Sequence, residues 1–341
     1  MIRQPYDKET VRAVVERRGG DVVPLTFHKW WGQGTWDKYG EKLNEIGADI
    51  PDDIRVATYT VPGAWESPTA DPHYRWAFSG SPSPEGTSLD ARIQLPDWRD
   101  LDAYLAEFPD ISRQAGAFDA ARAVVQSHPN QYVLGHWWYC FYERLWAIRG
   151  MQNVLLDFIE HPAELKRLSQ AILDHHVKVI RGFAAAGVDG IFTSDDLGSQ
   201  RALMMSPAAF RRVLKPLYAE LFAECHSLGL HFWLHACGNI QAILGDLIEV
   251  GLDVIHPIQA HTMDYQEVVD RFGGKITFLV GLDVQHLLPE GTEAEVRAGV
   301  RDVASIFRRP EGGFMLAAGN GIMPETPLGN IRAFLAEATG L

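Results

Sequence analysis

The chain is predicted to fold as a (β/α)8 barrel, an α/β architecture of parallel strands with helical crossovers. Three observations predict it. Long helical patterns alternate with short apolar runs from about residue 160 onward, the candidate strands add up to eight, and each late strand ends in polar residues, where such a barrel carries its reactive groups. A length of 341 residues suits one barrel, so residues 1–341 are read as a single domain with an irregular N-terminal part.

In the first half, Val22 to Phe27, Ile54 to Thr60 and Tyr132 to His136 are candidate strands. Between the second and third, residues 61–95 are rich in Pro, Gly and Ser and carry Trp65, His73, Tyr74 and Trp76. They form an insertion over one end, either a lid or a structured hairpin without a functional role. The second half is regular. A helix over Ala163 to Ala186 leads to the apolar run Val188 to Phe192, and one over Pro207 to Leu228 leads to His231 to Leu234. Ile240 to Val250 precedes Leu252 to Ile255, Tyr265 to Phe272 precedes Ile276 to Val280, and Glu293 to Phe307 precedes Phe314 to Ala317. A last helix begins after Pro327. Gly187 and Gly251 stand where helices must stop in a left-handed cap. An open doubly wound sheet is the structural alternative, but no strand is followed by a glycine-rich phosphate loop.

Composition narrows the function classes. The chain is 46% hydrophobic and 22% charged with no apolar stretch long enough for a membrane span, the composition of a globular, non-membrane protein. A net charge of -13 with no basic cluster disfavours nucleic acid. Three scattered cysteines, Cys140, Cys225 and Cys237, make no disulfide framework. The first residues lack the apolar core of a secretion signal, so the expected location is cytoplasmic.

The chemistry is expected at the strand ends. His235 and Cys237 follow Phe232-Trp233-Leu234, and side chains two apart on a strand face the same way. The pair reads equally as two ligands for a soft cation such as Zn²⁺ or as a satisfied histidine beside a core cysteine. Thr193, Ser194, Asp195 and Asp196 follow the preceding strand; of the two adjacent carboxylates, one is expected to cap a helix or turn and one to face the cavity. His256, Gln259 and His261 come after the next strand, and His256, before Pro257, reads as a structural hydrogen-bonding residue. Asp283, then Gln285, follow Gly281, and Asp283 divides between substrate contact and turn chemistry. Asn320 follows the last strand. Trp30, Trp31 and Trp36, with Trp137, Trp138, Tyr139, Phe141, Tyr142 and Trp146, supply aromatic walls for a small-molecule pocket. Glu143, among those rings, must find a cation, a donor or a metal.

The stretch Asp195-Asp196-Leu197-Gly198-Ser199-Gln200, then Met205-Ser206-Pro207, His235-Ala236-Cys237-Gly238-Asn239, Gly281-Leu282-Asp283, Gly319-Asn320-Gly321-Ile322 and Pro324 to Ile331 resembles the uroporphyrinogen decarboxylase superfamily. Within it the chain is more similar to the corrinoid- and coenzyme M-type methyltransferase branch. The resemblance covers roughly residues 140 to 335 well and the first 140 poorly. It implies a (β/α)8 barrel with the cleft at the carboxyl ends of the strands. It also implies a zinc bound by His235, Cys237 and a later cysteine, but Asn320 stands in that cysteine's place. A neutral amide is a poor Zn²⁺ ligand, so a third ligand has to come from Glu143, Asp195 or Asp196. The arginine-bearing N-terminal segment of the decarboxylase branch is absent, its region reading Phe27-His28-Lys29-Trp30-Trp31-Gly32-Gln33-Gly34; this argues against a tetrapyrrole substrate with many carboxylates.

The resulting expectation is a methyltransferase moving a methyl group between a small methylated or methoxylated donor and a corrinoid protein or thiol. The implied cofactors are Zn²⁺ at His235 and Cys237 and a corrinoid on a partner protein. Asp195 or Asp196 orients the acceptor or moves a proton, Gln200, Gln259 and Asn320 contact substrate, and Trp30, Trp31, Trp137, Tyr139 and Glu143 line its pocket. Two alternatives stay open: a metal-free decarboxylase or lyase with Asp195 or Asp283 as the acid and His235 as a hydrogen-bonding electrophile, and a binding barrel without turnover. Metal content separates the first two, and substitution of Asp195 and His235 in a substrate screen separates the third.

Overall fold

In a computed structural model, residues 3–20, 22–26, 31–32, 34–48, 50–59 and 93–341 are described. Trp30 and residues 61–92 of the expected insertion lie outside them. Among the described residues, eight strands form one parallel sheet: β1 (Leu25–Thr26), β2 (Ile54–Thr58), β3 (Tyr132–Trp137), β4 (Gly190–Ser194), β5 (His231–His235), β6 (Val254–Ile258), β7 (Thr277–Val280) and β8 (Phe314–Ala317). Their order, β1-β8-β7-β6-β5-β4-β3-β2, wraps the sheet into the anticipated (β/α)8 barrel. At the seam between β1 and β2, the Asp53 N–H donates to the Leu25 carbonyl at 3.0 Å. The buried Asp53 carboxylate in turn accepts from the N–H groups of Leu25 and Tyr6 and from both terminal nitrogens of Arg3, each at 2.7 Å. One side chain thus clasps the seam and the N-terminal segment together.

Each late helix forms where its local signals place it. Pro162–Ala186 ends at Gly187, whose φ of +89° is the left-handed cap a Cβ would oppose. Pro207–Ser227 begins with a proline at its first turn and with Ser206 accepting the Ala209 N–H, and Glu293–Phe307 opens with a capping box between Thr292 and Glu295. One strand departs from its sequence pattern. The apolar run stops at Ile255, yet β6 continues through His256 and Pro257 to Ile258. Proline cannot donate to the ladder, and the β6–β7 register accordingly shifts between Ile255 and Ile258.

The barrel interior holds Ile54, Tyr132, Leu134, Phe192, Trp233, Val254, Leu279, Met315 and Ala317. Joined to them are Val11, Val14 and Val15 of an N-terminal helix, Lys8–Val15, which the sequence pattern did not single out. Its last turn bonds to the strand beginnings, with the Gly313 N–H donating to the Val14 carbonyl at 3.0 Å and Thr277 Oγ1 to the Val15 carbonyl at 2.8 Å. The helix therefore plugs the amino end of the barrel, and the carboxyl end carries the polar groups. Among the described residues no helix is long and apolar enough to cross a membrane.

Candidate metal centre

Strand register assembles the floor of the site. Ser194 on β4 pairs with His235 on β5, and His235 pairs with His256 on β6, so three polar side chains share one layer at the carboxyl end. His235 and Cys237 do point together, with Cys237 Sγ 3.2 Å from His235 Nε2. From the loop after β4, Asp196 brings Oδ1 to 3.6 Å from the same Nε2 and accepts the Cys237 N–H at 2.8 Å. Ligand atoms of Asp196, His235 and Cys237 all lie within 4.8 Å of one another. Backbone contact makes this approach feasible: a Cβ on Gly238, at φ +80°, would meet the Gly198 carbonyl carbon at 2.5 Å, so glycine on both loops lets them touch.

The donor set fits a tetrahedral divalent cation. With metal–nitrogen and metal–oxygen distances of about 2.1 Å and metal–sulfur of about 2.3 Å, tetrahedral ligands stand roughly 3.4 Å (N···O) and 3.6 Å (N···S) apart. The observed separations of 3.6 and 3.2 Å require movements of only a few tenths of an ångström. Of the carboxylates named as third ligands, Asp196 occupies that position. His256 Nδ1 lies 2.9 Å from His235 Nδ1; when His235 is the donor in that bond, its Nε2 lone pair faces Cys237 and Asp196, the orienting device usual for a metal-bound imidazole. Asn320 Nδ2 donates to Cys237 Sγ at 3.1 Å, so the amide in the family's cysteine position touches the sulfur.

Burial governs the electrostatics. It lowers the pKa of His235, keeping the ring neutral although Asp196 pulls the other way. It pushes the Cys237 thiol up, with Asp196 and Glu143 adding to the effect; a cation among these ligands reverses that balance. Glu143, 5% exposed, is raised to about 9 by burial and by Asp196 and Asp195. It therefore carries a proton at neutral pH, although Ser194 Oγ, donating to Oε2 at 2.6 Å, favours the charged form. His136, at the end of β3, is lowered to about 4 by burial and by His235.

Several expected site residues lie elsewhere. Asp195 is fully buried and does not face the cavity. Its Oδ1 accepts the Glu143 N–H at 2.7 Å, and its Oδ2 accepts those of Phe141 and Tyr142 and the hydroxyl of Tyr218. It caps the helix Tyr142–Arg149 from outside, which removes it from the catalytic candidates. Trp137 is corrected likewise: 6% exposed, it stacks on His176 and Phe183 in the helical layer. Its neighbour Trp138, 43% exposed, stands perpendicular to His235 at 6.0 Å and walls the site instead. Asp283 joins a separate cluster with His261 and His286. Gln200 is exposed, whereas Gln259 accepts the Gly238 N–H at 3.1 Å and with Asn320 lines an open cleft of about 650 Å³. Tyr139, at φ +68°, lies under the Arg144 guanidinium, and Trp31 bridges to Ile322 at the rim. The strand-end rule that finds His235 applies equally to His136 and His286, missed from the sequence, and to His256, expected only as a structural hydrogen-bonding residue.

Two curated proteins, the methylcobamide:CoM methyltransferase MtaA of Methanosarcina barkeri and its counterpart from the Fusaro strain, are 30% and 28% identical over 152 residues. The matched segment is 44% of this chain and 41% of the length of those relatives. A solved methyltransferase from Methanosarcina mazei shares the fold with a TM-score of 0.65 at 19% identity, over 98% of both chains. The uroporphyrinogen decarboxylase (URO-D) family profile matches residues 146–340, more than half of the sequence and all three cluster ligands. On that match, the chain belongs to the uroporphyrinogen decarboxylase family.

Proposed function

We propose that this protein is a methyltransferase that moves a methyl group between a small donor and a corrinoid protein or thiol, working at His235, Cys237 and Asp196. The convergence of one imidazole, one sulfur and one carboxylate at the carboxyl end of the barrel carries the reading. The segment shared with methylcobamide:CoM methyltransferases supports it. These three residues would hold Zn²⁺, which when bound supplies Lewis acidity and keeps a sulfur ligand as thiolate at neutral pH.

The chain's own groups do the rest. His256 holds His235 in the orientation that aims Nε2 at the centre. Asn320 donates to the sulfur and so fixes its direction. Glu143 keeps a proton on a carboxyl adjacent to Asp196, placed to exchange it with a thiol or leaving group. Trp138 shields one side of the centre from water. In transfer from methylcobalamin to a thiol, the carbon–cobalt bond breaks with its electron pair left on cobalt, a carbon–sulfur bond forms, and the thiol proton is released.

The test uses purified protein, methylcobalamin and coenzyme M, the substrate classes in the names of the curated relatives. The expected result is one equivalent of metal at the sulfur-containing centre, seen as a thiolate-to-cobalt charge-transfer band on Co²⁺ substitution, and thiol-dependent loss of the methylcobalamin spectrum, both abolished in Cys237→Ser and Asp196→Ala. Methyl transfer by a metal-free protein would remove the role given to the cation, and a metal-free protein that transfers no methyl group but decarboxylates or cleaves a small carboxylated substrate would end this reading in favour of the lyase.

A further inference from the structure

A second set of ligands stands on the same rim. The loops after β6 and β7 bring His261, Asp283 and His286 together, with one ligand atom of each within 4.8 Å of the others. His261 Nε2 lies 2.9 Å and His286 Nδ1 3.1 Å from the same oxygen, Asp283 Oδ2. The two rings are nearly perpendicular, at 87°, with centroids 5.3 Å apart. The geometry points to a second divalent-cation site here, made of two imidazoles and one carboxylate, with open coordination positions and a preference for Zn²⁺, Co²⁺ or Ni²⁺.

Three features argue for it. Two ligands each about 2.1 Å from an ion stand roughly 3.0 Å apart at a right angle, which matches both nitrogen–oxygen separations. Asp283 is oriented as a ligand should be: Oδ1 is anchored by the N–H groups of Gln285 and His286, at 2.8 and 3.1 Å, leaving Oδ2 turned toward the rings. Finally, His261 sits at φ +62°, a conformation a non-glycine residue adopts at a cost and one that turns its ring back onto Asp283.

Imidazole with carboxylate suits borderline transition metals better than calcium or magnesium. The side chains of His261 and His286 are 65% and 62% exposed, so the remaining positions face solvent. Gln285, in the same loop as Asp283 and His286, lines the cleft shared with Asn320, which places an ion at this site on the wall of that cleft. The inference does not depend on methyl transfer.

Cobalt titration tests it, because the two clusters differ in sulfur. In Cys237→Ser, one equivalent of Co²⁺ should still bind and show no thiolate-to-cobalt charge-transfer band. That equivalent should weaken at least about tenfold in His286→Ala, in an exposed position where folding is undisturbed. His261→Asn, which tolerates the left-handed conformation and is a poor ligand, should weaken it similarly. Isothermal titration with Zn²⁺ should give the same ranking. Loss of all Co²⁺ binding in Cys237→Ser, or unchanged binding in both histidine variants, would overturn the proposal; failure of the sulfur site alone would remove the thiolate band and leave this equivalent in place.

Discussion

Replacing Asp195 and Asp196 one at a time should separate folding from function across a single peptide bond. In Asp195→Ala, the N–H groups of Phe141, Tyr142 and Glu143 and the Tyr218 hydroxyl lose their acceptor inside the protein. A buried donor left unsatisfied costs about 1–3 kcal/mol. Four donors, partly relieved by local relaxation, therefore predict a destabilisation of about 3–5 kcal/mol. With an unfolding entropy of about 2.1 cal/mol/K per residue, a chain of this size should melt roughly 4–7 °C lower. Asp196 is different: its side chain is 37% exposed and accepts one backbone N–H, so Asp196→Ala should cost about 1 kcal/mol or less and abolish metal binding at the sulfur-containing centre. The assay is a pair of thermal melts on chelator-treated protein, with metal content measured after reloading with zinc. An Asp195→Ala protein melting within about 1 °C of the parent would refute the reasoning, as would an Asp196→Ala protein that reloads fully.

Other predictions follow the same physics. Glu143 is raised from its usual 4.5 to about 9, so the folded state keeps a proton that the unfolded chain releases. Its contribution is complete below about pH 4.5 and declines by up to about 1.4 kcal/mol per pH unit as pH rises toward 9. Glu143→Gln lacks this dependence, so its stability relative to the parent should rise between pH 5.5 and 8.5 in urea titrations; a constant difference would contradict the assignment. Gly238→Ala, which adds a methyl against Gly198 at positive φ, should cost about 1–3 kcal/mol and weaken metal binding, as read by calorimetry. Asp53→Ala removes the acceptor that joins Arg3, Tyr6 and Leu25. It should cost about 3–5 kcal/mol and speed proteolysis of the N-terminal segment. Trp138→Ala should leave the melting temperature nearly unchanged and impair the methyl-transfer assay.

How much could be read from the chain follows from what each signal encodes. The five late strands were legible because each apolar run follows a predicted helix and ends in polar residues, and the first three from their apolar runs alone, which brought the total to eight. The helix Lys8–Val15 was not, since its buried valines face the barrel interior, a partner that exists only after the sheet has closed. His235 and Cys237 could be paired because both lie on one local stretch. Asp195 and Asp196 could be divided into one cap and one cavity residue, but their assignment depends on where Phe141 to Glu143 begin a helix more than fifty residues earlier. Trp137 and Trp138 present the same difficulty, as neighbours where β3 ends, one packed in the helical layer and the other beside His235. The cluster of His261, Asp283 and His286 joins two separate loops, and no spacing rule within either one announces it.

The stopper formed by Val11, Val14 and Val15 seals the amino end of a barrel whose interior is already filled by Tyr132, Phe192, Trp233 and Met315. Among the described residues, approach to Asp196, His235 and Cys237 is therefore from the carboxyl face alone, and a methyl donor and acceptor meeting at that centre would have to share this one threshold, the smaller settling on the floor before the larger covers it.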